Sequence, residues 1–221
     1  MRKRACVGFI LVACLLLCGC GGGNLKKYEA NISEIREHLF AAASAEYTVS
    51  AVAGVREDPY ETDGKSGAKR AFTVVTVIPA SYPAGQTLRY RAASGEQSFE
   101  GDLLPHPFAP QFSVDLPFTA TDAFSFTVIG KEESTFTLER VVTGDAIGAE
   151  KALTIALDKL KKDLSRFKSK GKLHAEIYVR LIENTTSGVG GYFWYVAFAN
   201  TADSIAVLLY ADTGAVAATR V

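Results

Sequence analysis

Phe72-Thr73-Val74-Val75-Thr76-Val77-Ile78 is the stretch on which the fold class turns. Phe72, Val74, Thr76 and Ile78 alternate with Thr73, Val75 and Val77, and a period of two places successive side chains on opposite faces of a strand. Val49, Ala51 and Ala53 alternate with Thr48, Ser50 and Val52 in the same way. Outward from these two, short strands are expected at 86–92, 97–100, 111–116, 123–129 and 135–140, with Gly, Pro, Asp and Ser between them. Seven such strands predict an antiparallel β-sandwich over residues 47–142. Pro105, Pro107, Pro110 and Pro117 crowd one connection of that region and stiffen it.

The strand count gives residues 47–142 a broad resemblance to immunoglobulin-like sandwiches, with no disulfide available to brace them. Before the sandwich, Leu25, Tyr28, Ile32, Ile35 and Leu39 recur at spacings of three and four, which predicts an amphipathic helix from Leu25 to Ala43. After it, Ala149, Leu153, Ala156, Leu160, Leu164 and Phe167 fall on one face of a second helix, with Asp145 or Gly148 as its cap and Gly171 beyond its end. Strands are expected at about 173–183, 192–200 and 204–211, followed by a short extension after Asp212-Thr213-Gly214. Residues 143–221 therefore read as an α+β unit, a helix packed on a three- to four-stranded antiparallel meander.

All four cysteines, Cys6, Cys14, Cys18 and Cys20, lie in the first twenty residues, so the body holds neither a disulfide framework nor a thiolate metal site. Arg2-Lys3-Arg4 followed by the uncharged run Ala5 to Leu17 has the layout of a secretory signal and is too short to span a bilayer. Leu17-Cys18-Gly19-Cys20 resembles the lipobox of bacterial lipoproteins. Leu11-Val12-Ala13-Cys14 fits the same four-residue pattern but leaves only Ala5 to Ile10 as the apolar region. The resemblance implies cleavage after residue 19 and a diacylglyceryl thioether on Cys20, and two acyl chains suffice for stable anchoring. Residues 20–46 then comprise the lipidated cysteine, a Gly21-Gly22-Gly23 tether and the first helix. The expected location is the cell membrane, lipid-anchored, on its extracytoplasmic face.

Residues 149–216 resemble the PepSY domain through Ala149-Glu150-Lys151-Ala152-Leu153, Phe193-Trp194-Tyr195-Val196 and the closing Tyr210-Ala211-Asp212-Thr213-Gly214-Ala215-Val216. One residue is missing between Asp212 and Thr213-Gly214 relative to the usual spacing. That resemblance implies an association with extracellular peptidases.

The whole chain balances 24 basic against 24 acidic side chains, and removal of residues 1–19 leaves 21 against 24. A net charge of −3 argues against a dedicated nucleic-acid binder, which needs a basic excess to displace phosphate counterions. No catalytic motif is present; Gly64-Lys65-Ser66 resembles the end of a phosphate-binding loop, but the required upstream glycine is Pro59. His38, His106 and His174 fall in separate predicted elements, and neither metal nor cofactor is expected. Glu57, Asp58, Glu61 and Asp63 gather carboxylates in one loop without the spacing of a calcium loop. Lys159, Lys161, Lys162, Arg166, Lys168, Lys170 and Lys172 make the end of the second helix basic, a pattern that suits its dipole or an anionic surface.

The candidate partner-binding residues are His174, Glu176, Tyr178 and Arg180, which alternate with Leu173, Ala175, Ile177, Val179 and Leu181 and so face away from the helix. In the next strand Tyr192, Trp194 and Phe198 take one face, Phe193 and Tyr195 the other. The functional expectation is a non-catalytic binding or regulatory lipoprotein acting on an envelope protein or peptidase. A glycan- or wall-associated accessory protein is the alternative, and a hydrolase a third reading.

Overall fold

The computed structural model describes residues 23–82, 85–144, 146–184 and 191–221. The expected signal segment and Cys20 lie outside the described residues. The chain is mostly β, 52% strand and 13% helix, and its main sheet curls into a nearly closed barrel. This corrects the expected series of an N-terminal helix, an immunoglobulin-like sandwich and a separate α+β unit, because one sheet runs through all three.

After a short helical turn, α1 (Gly23–Lys27), come the long strands β1 (Ile32–Ala43), β2 (Tyr47–Glu57) and β3 (Lys69–Pro79). Then follow β4 (Arg89–Ser94), β5 (Gln97–Asp102), β6 (Leu104–Pro105), β7 (Phe112–Leu116), β8 (Phe124–Ile129) and β9 (Glu133–Arg140). The helix α2 (Ala149–Lys159) leads through a 3-10 turn at Asp163–Phe167 to the small hairpin β10 (Lys168–Ser169) and β11 (Lys172–Leu173). The chain closes with β12 (Glu176–Glu183), β13 (Tyr192–Ala199), β14 (Ser204–Tyr210) and β15 (Val216–Arg220).

The main path is β15-β14-β13-β12-β1-β2-β3-β7-β6, with β5-β4-β8-β9 folding back so that β9 also pairs β1. The β1–β12 pair is parallel and, among the described residues, the other strand pairs are antiparallel. Strand β1 is thus common to both parts of the molecule: Ile32 to Arg36 pair with β12, and Phe40 and Ala41 pair with Arg140 and Glu139 of β9.

Residues 32–43 form a strand despite their helical spacing because the strand is irregular. Its register shifts between Ile32 and Glu34 and again between Arg36 and His38. Each such irregularity inserts a residue and resets which face the next side chain takes. Ile32, Ile35 and Leu39 therefore pack against one core while Phe40 enters another. Spacings of three and four arise without a helix. Opposite the second shift, a Cβ on Gly54 would lie 1.9 Å from the Ile35 carbonyl oxygen, so only glycine lets the two backbones approach.

Two cores result. The barrel core holds Phe40, Val49, Val75, Val77, Phe112, Phe126 and Leu138. The second lies between α2 and the strands β12 to β14, with Leu153, Ala156, Ile177, Val179, Trp194, Phe198 and Val207 buried. Helix α2 ends at Lys159 rather than reaching Phe167, although Leu160, Leu164 and Phe167 still bury into the same core from the 3-10 turn. Among the described residues, those of both cores lie between 25 and 211, so the chain from Gly23 onward contains the whole described fold. No helix among the described residues is long and apolar enough to cross a membrane.

Candidate functional site

Alternation along β12 sends Ile177, Val179 and Leu181 under α2 and Glu176, Tyr178 and Arg180 to the opposite face of the sheet. That opposite face is partly roofed by the connection between β2 and β3, residues 58–68. Glu176 Oε1 accepts from the Gly64 amide at 2.6 Å, and the Tyr178 hydroxyl, which donates to Glu176 Oε2, also meets Thr62 Oγ1 at 3.2 Å. Ser66 Oγ donates to the Ile32 carbonyl at 2.6 Å and pins the far end of the roof.

The four residues proposed from sequence are therefore not equivalent. His174 is exposed ahead of the strand, Glu176 and Tyr178 are buried beneath the roof, and the Arg180 side chain is 25% exposed at its edge.

Arg180 belongs to a charged network centred on Glu34, a carboxylate that is almost fully buried. Glu34 accepts from Arg180 Nε at 2.5 Å, from Arg36 Nε and Nη2 at 3.1 and 2.9 Å, and from the Tyr60 hydroxyl at 3.1 Å. The Arg180 guanidinium also donates to the Tyr60 hydroxyl and lies 4.6 Å from the centre of the Tyr178 ring. Burial on its own raises a carboxyl pKa, but Arg36 and Arg180 more than offset it and hold Glu34 below its ordinary value. Burial and the neighbouring Glu34 charge push the Tyr60 hydroxyl up to about 12, and burial with the Glu176 contact raises Tyr178 as well.

Beside this network lies a groove of about 610 Å³. Its floor is read directly from the register: Tyr178 stands opposite Ala197, Ala197 opposite Ala206, and Ala206 opposite Arg220. Three strand spacings separate Tyr178 from Arg220, roughly 14 Å. The two alanines between them create the depression, and Tyr195 and Ala199 extend it along β13. Arg180, Tyr60 and Thr62 form one wall, and the Asn200–Asp203 turn closes one end.

The Arg220 guanidinium donates to the Tyr195 hydroxyl at 3.3 Å and to Ser204 Oγ at 2.9 Å. Among the described residues it has no carboxylate partner, whereas Asp203 at the same end is paired with Arg166 at 3.0 Å. The described lining holds no histidine and no cysteine. No family model, curated protein or solved structure matches this chain. The groove's chemistry therefore rests on its own residues: a fixed guanidinium, phenol hydroxyls and a small-residue floor, a set suited to binding an anionic or hydroxyl-bearing group.

The other sequence candidates disperse. His38 lines a separate cavity of about 290 Å³ with Arg140 and Trp194, and burial followed by the Arg140 charge lowers its pKa. His106 Nδ1 accepts from the Phe108 amide in the proline-rich loop. In the acidic loop, Glu57 is buried, Asp58 pairs with Arg70 at 3.0 Å, and Asp63 accepts from the Lys65 amide. Glu57 accepts from the Gly67 amide at 2.8 Å, and burial together with the nearby Glu176 charge raises its pKa. Among the described residues no three His, Cys, Asp or Glu side chains gather as a metal site.

On β13, Trp194 and Phe198 lie in the core under α2, and Trp194 Nε1 donates to the Ile147 carbonyl at 2.8 Å. Tyr195 points to the groove. Sequence reasoning missed Glu34, Tyr60 and Arg220. None of the three had a local signal: Arg220 comes to lie across from Ala206 only through a register shift between Leu208 and Leu209, which unbroken alternation from the turn does not predict.

Proposed function

We propose that the protein is an extracytoplasmic lipoprotein, anchored through Cys20, that binds an envelope protein in the sheet groove without transforming it. The location rests on the basic and then apolar segment ending in Leu17-Cys18-Gly19-Cys20. The binding reading is carried by one observation: Arg220 is held by Tyr195 and Ser204 at the end of an alanine-floored groove, with no carboxylate partner among the described residues. A guanidinium oriented by neighbours and left without a counter-charge is preorganised for an acidic or C-terminal carboxylate group of a partner.

The glycan-binding alternative has its own support. Tyr60 and Tyr195 rings, the Asn200 amide and the Ser204 hydroxyl share the groove, and aromatic faces beside polar groups suit a sugar.

Crosslinking in intact cells tests both. Arg220→Ala and Tyr195→Phe should each abolish a protein adduct at unchanged thermal midpoint, and the adduct's identity reports whether the partner is a peptidase. Retention of the adduct in both variants overturns the groove as the site. Specific loss of glycan retention with no protein adduct favours the alternative.

A further inference from the structure

The segments that cover the helix side of the sheet differ in charge from the rest of the chain. The helix-bearing side, residues 23–31 and 149–172, holds ten exposed cations and four carboxylates, a net of +6. The remaining residues after position 19 hold 11 cations and 20 carboxylates, a net of −9. Among the ten cations only Arg166 has a carboxylate within salt-bridge distance among the described residues.

A helix dipole accounts for cations in the last turn of a helix, where its influence is confined. Lys159, Lys161 and Lys162 satisfy that reading, as do Lys26 and Lys27 in the last turn of α1, but Lys151 in the first turn of α2 and the lysines of the β10–β11 hairpin do not. The hairpin, with Lys168 paired to Leu173 and Ser169 to Lys172, follows directly on the 3-10 turn that buries Leu164 and Phe167. Its tip residue Lys170 has φ 49 and precedes Gly171 at φ 76, a left-handed pair in which Asn, Asp or Gly is the usual first residue. A lysine there accepts backbone strain while displaying its charge.

The start of the described chain lies on this same side. The Asn24 and Leu25 amides both donate to the Glu150 carboxylate at 2.9 Å, and the Asn24 side chain donates to Thr154 Oγ1 at 3.0 Å. Cys20 precedes Gly23 by three residues, a reach of about 10 Å.

We infer that the helix-bearing side docks on an anionic phospholipid surface. The groove, on the opposite face of the sheet, then opens away from the bilayer. Lysines held near such a surface gain from its negative potential within about a Debye length, and a polybasic patch supplements an acyl anchor. This inference extends the anchoring proposal, but the charge acts without the anchor, so the test omits it.

The unlipidated chain from Gly23 to Val221 is sedimented with phosphatidylcholine vesicles, with and without a third of phosphatidylglycerol. Binding is expected only to the anionic vesicles. It should fall about ten-fold or more in Lys161→Glu/Lys162→Glu/Lys168→Glu and remain in Lys131→Glu, which alters charge on the other part of the molecule. Lys170→Gly removes a cation and relieves the turn, so it should weaken binding without loss of thermal stability and serves if the triple variant fails to fold. Equal binding to both vesicle types, no binding to either, or undiminished binding by the lysine variants overturns the inference. Preference for soluble polyphosphate over vesicles at equal phosphate concentration also overturns it, in favour of a polymer. Lipid labelling at Cys20 in cells is a separate readout, so failure here leaves the anchor proposal standing on its own evidence.

Discussion

Arg180 and Leu181 are chain neighbours with opposite surroundings, and their substitutions separate two kinds of cost. Leu181 is 2% exposed in the core under α2, so Leu181→Ala should cost about 2–5 kcal/mol in urea unfolding. Arg180 is neither a free surface cation nor a wholly buried one. Its loss would leave buried Glu34 with Arg36 as its remaining ionic partner, so Arg180→Ala should cost about 1–3 kcal/mol. A cost near zero would mean that the Glu34 network contributes nothing to holding the roof. Glu57 provides a test through pH. Its carboxyl pKa is raised in the folded protein, above the ordinary 4.5, by burial and then by Glu176. Stability contributed by such a group is present at low pH and lost as pH rises through the folded value. Glu57→Gln should therefore raise the thermal midpoint at neutral pH, with the advantage vanishing toward acid; an equal gain at all pH values would exclude ionisation as its cause. Glu34 carries the opposite sign: its lowered pKa contributes stability above 4.5 that disappears as pH falls through the lower folded value.

At the scale of elements, β1 depends on a glycine in its neighbour. With the added Cβ 1.9 Å from a backbone oxygen, Gly54→Ala must displace β1 from β2, and a loss of about 3 kcal/mol or more, or failure to fold, is expected in thermal and urea unfolding. The same strand shows where sequence reading ends. β2 and β3 pair over eleven residues each in unbroken register, so their alternation survives intact in the sequence. β1 has two shifts and two cores, and its apolar residues imitate a helix. The apolar stripe of α2 was legible through Ala156, but the conversion to a 3-10 turn leaves Leu164 and Phe167 buried and therefore invisible as a change of element. Likewise the polar side of β12 could be read from its period, while its roof could not. Tyr60, Thr62 and Gly64 reach it across more than a hundred residues of chain, and no local pattern encodes that contact.

For the whole molecule, the shared β1 ties the barrel to the helix-covered sheet. Heating should give one cooperative transition by both near- and far-ultraviolet circular dichroism, since neither part keeps its full ladder without β1. Two resolved transitions would show that the parts unfold independently. Residues 143–221 expressed alone lack the strand that pairs with Ile177 to Arg180, and should show weak amide protection along β12. That long-range pairing also governs the order in which the protein is made. Glu34 and Arg180 are 146 residues apart, so β1, once off the ribosome, waits a long stretch of synthesis for β12. Until β12 emerges, one edge of β1 is an open ladder, an invitation to mispairing that charged side chains such as Glu34 and Arg36 discourage. A nascent chain stalled before residue 176 can close its barrel ladder but cannot complete β1, and should remain a substrate for holding chaperones until β12 arrives.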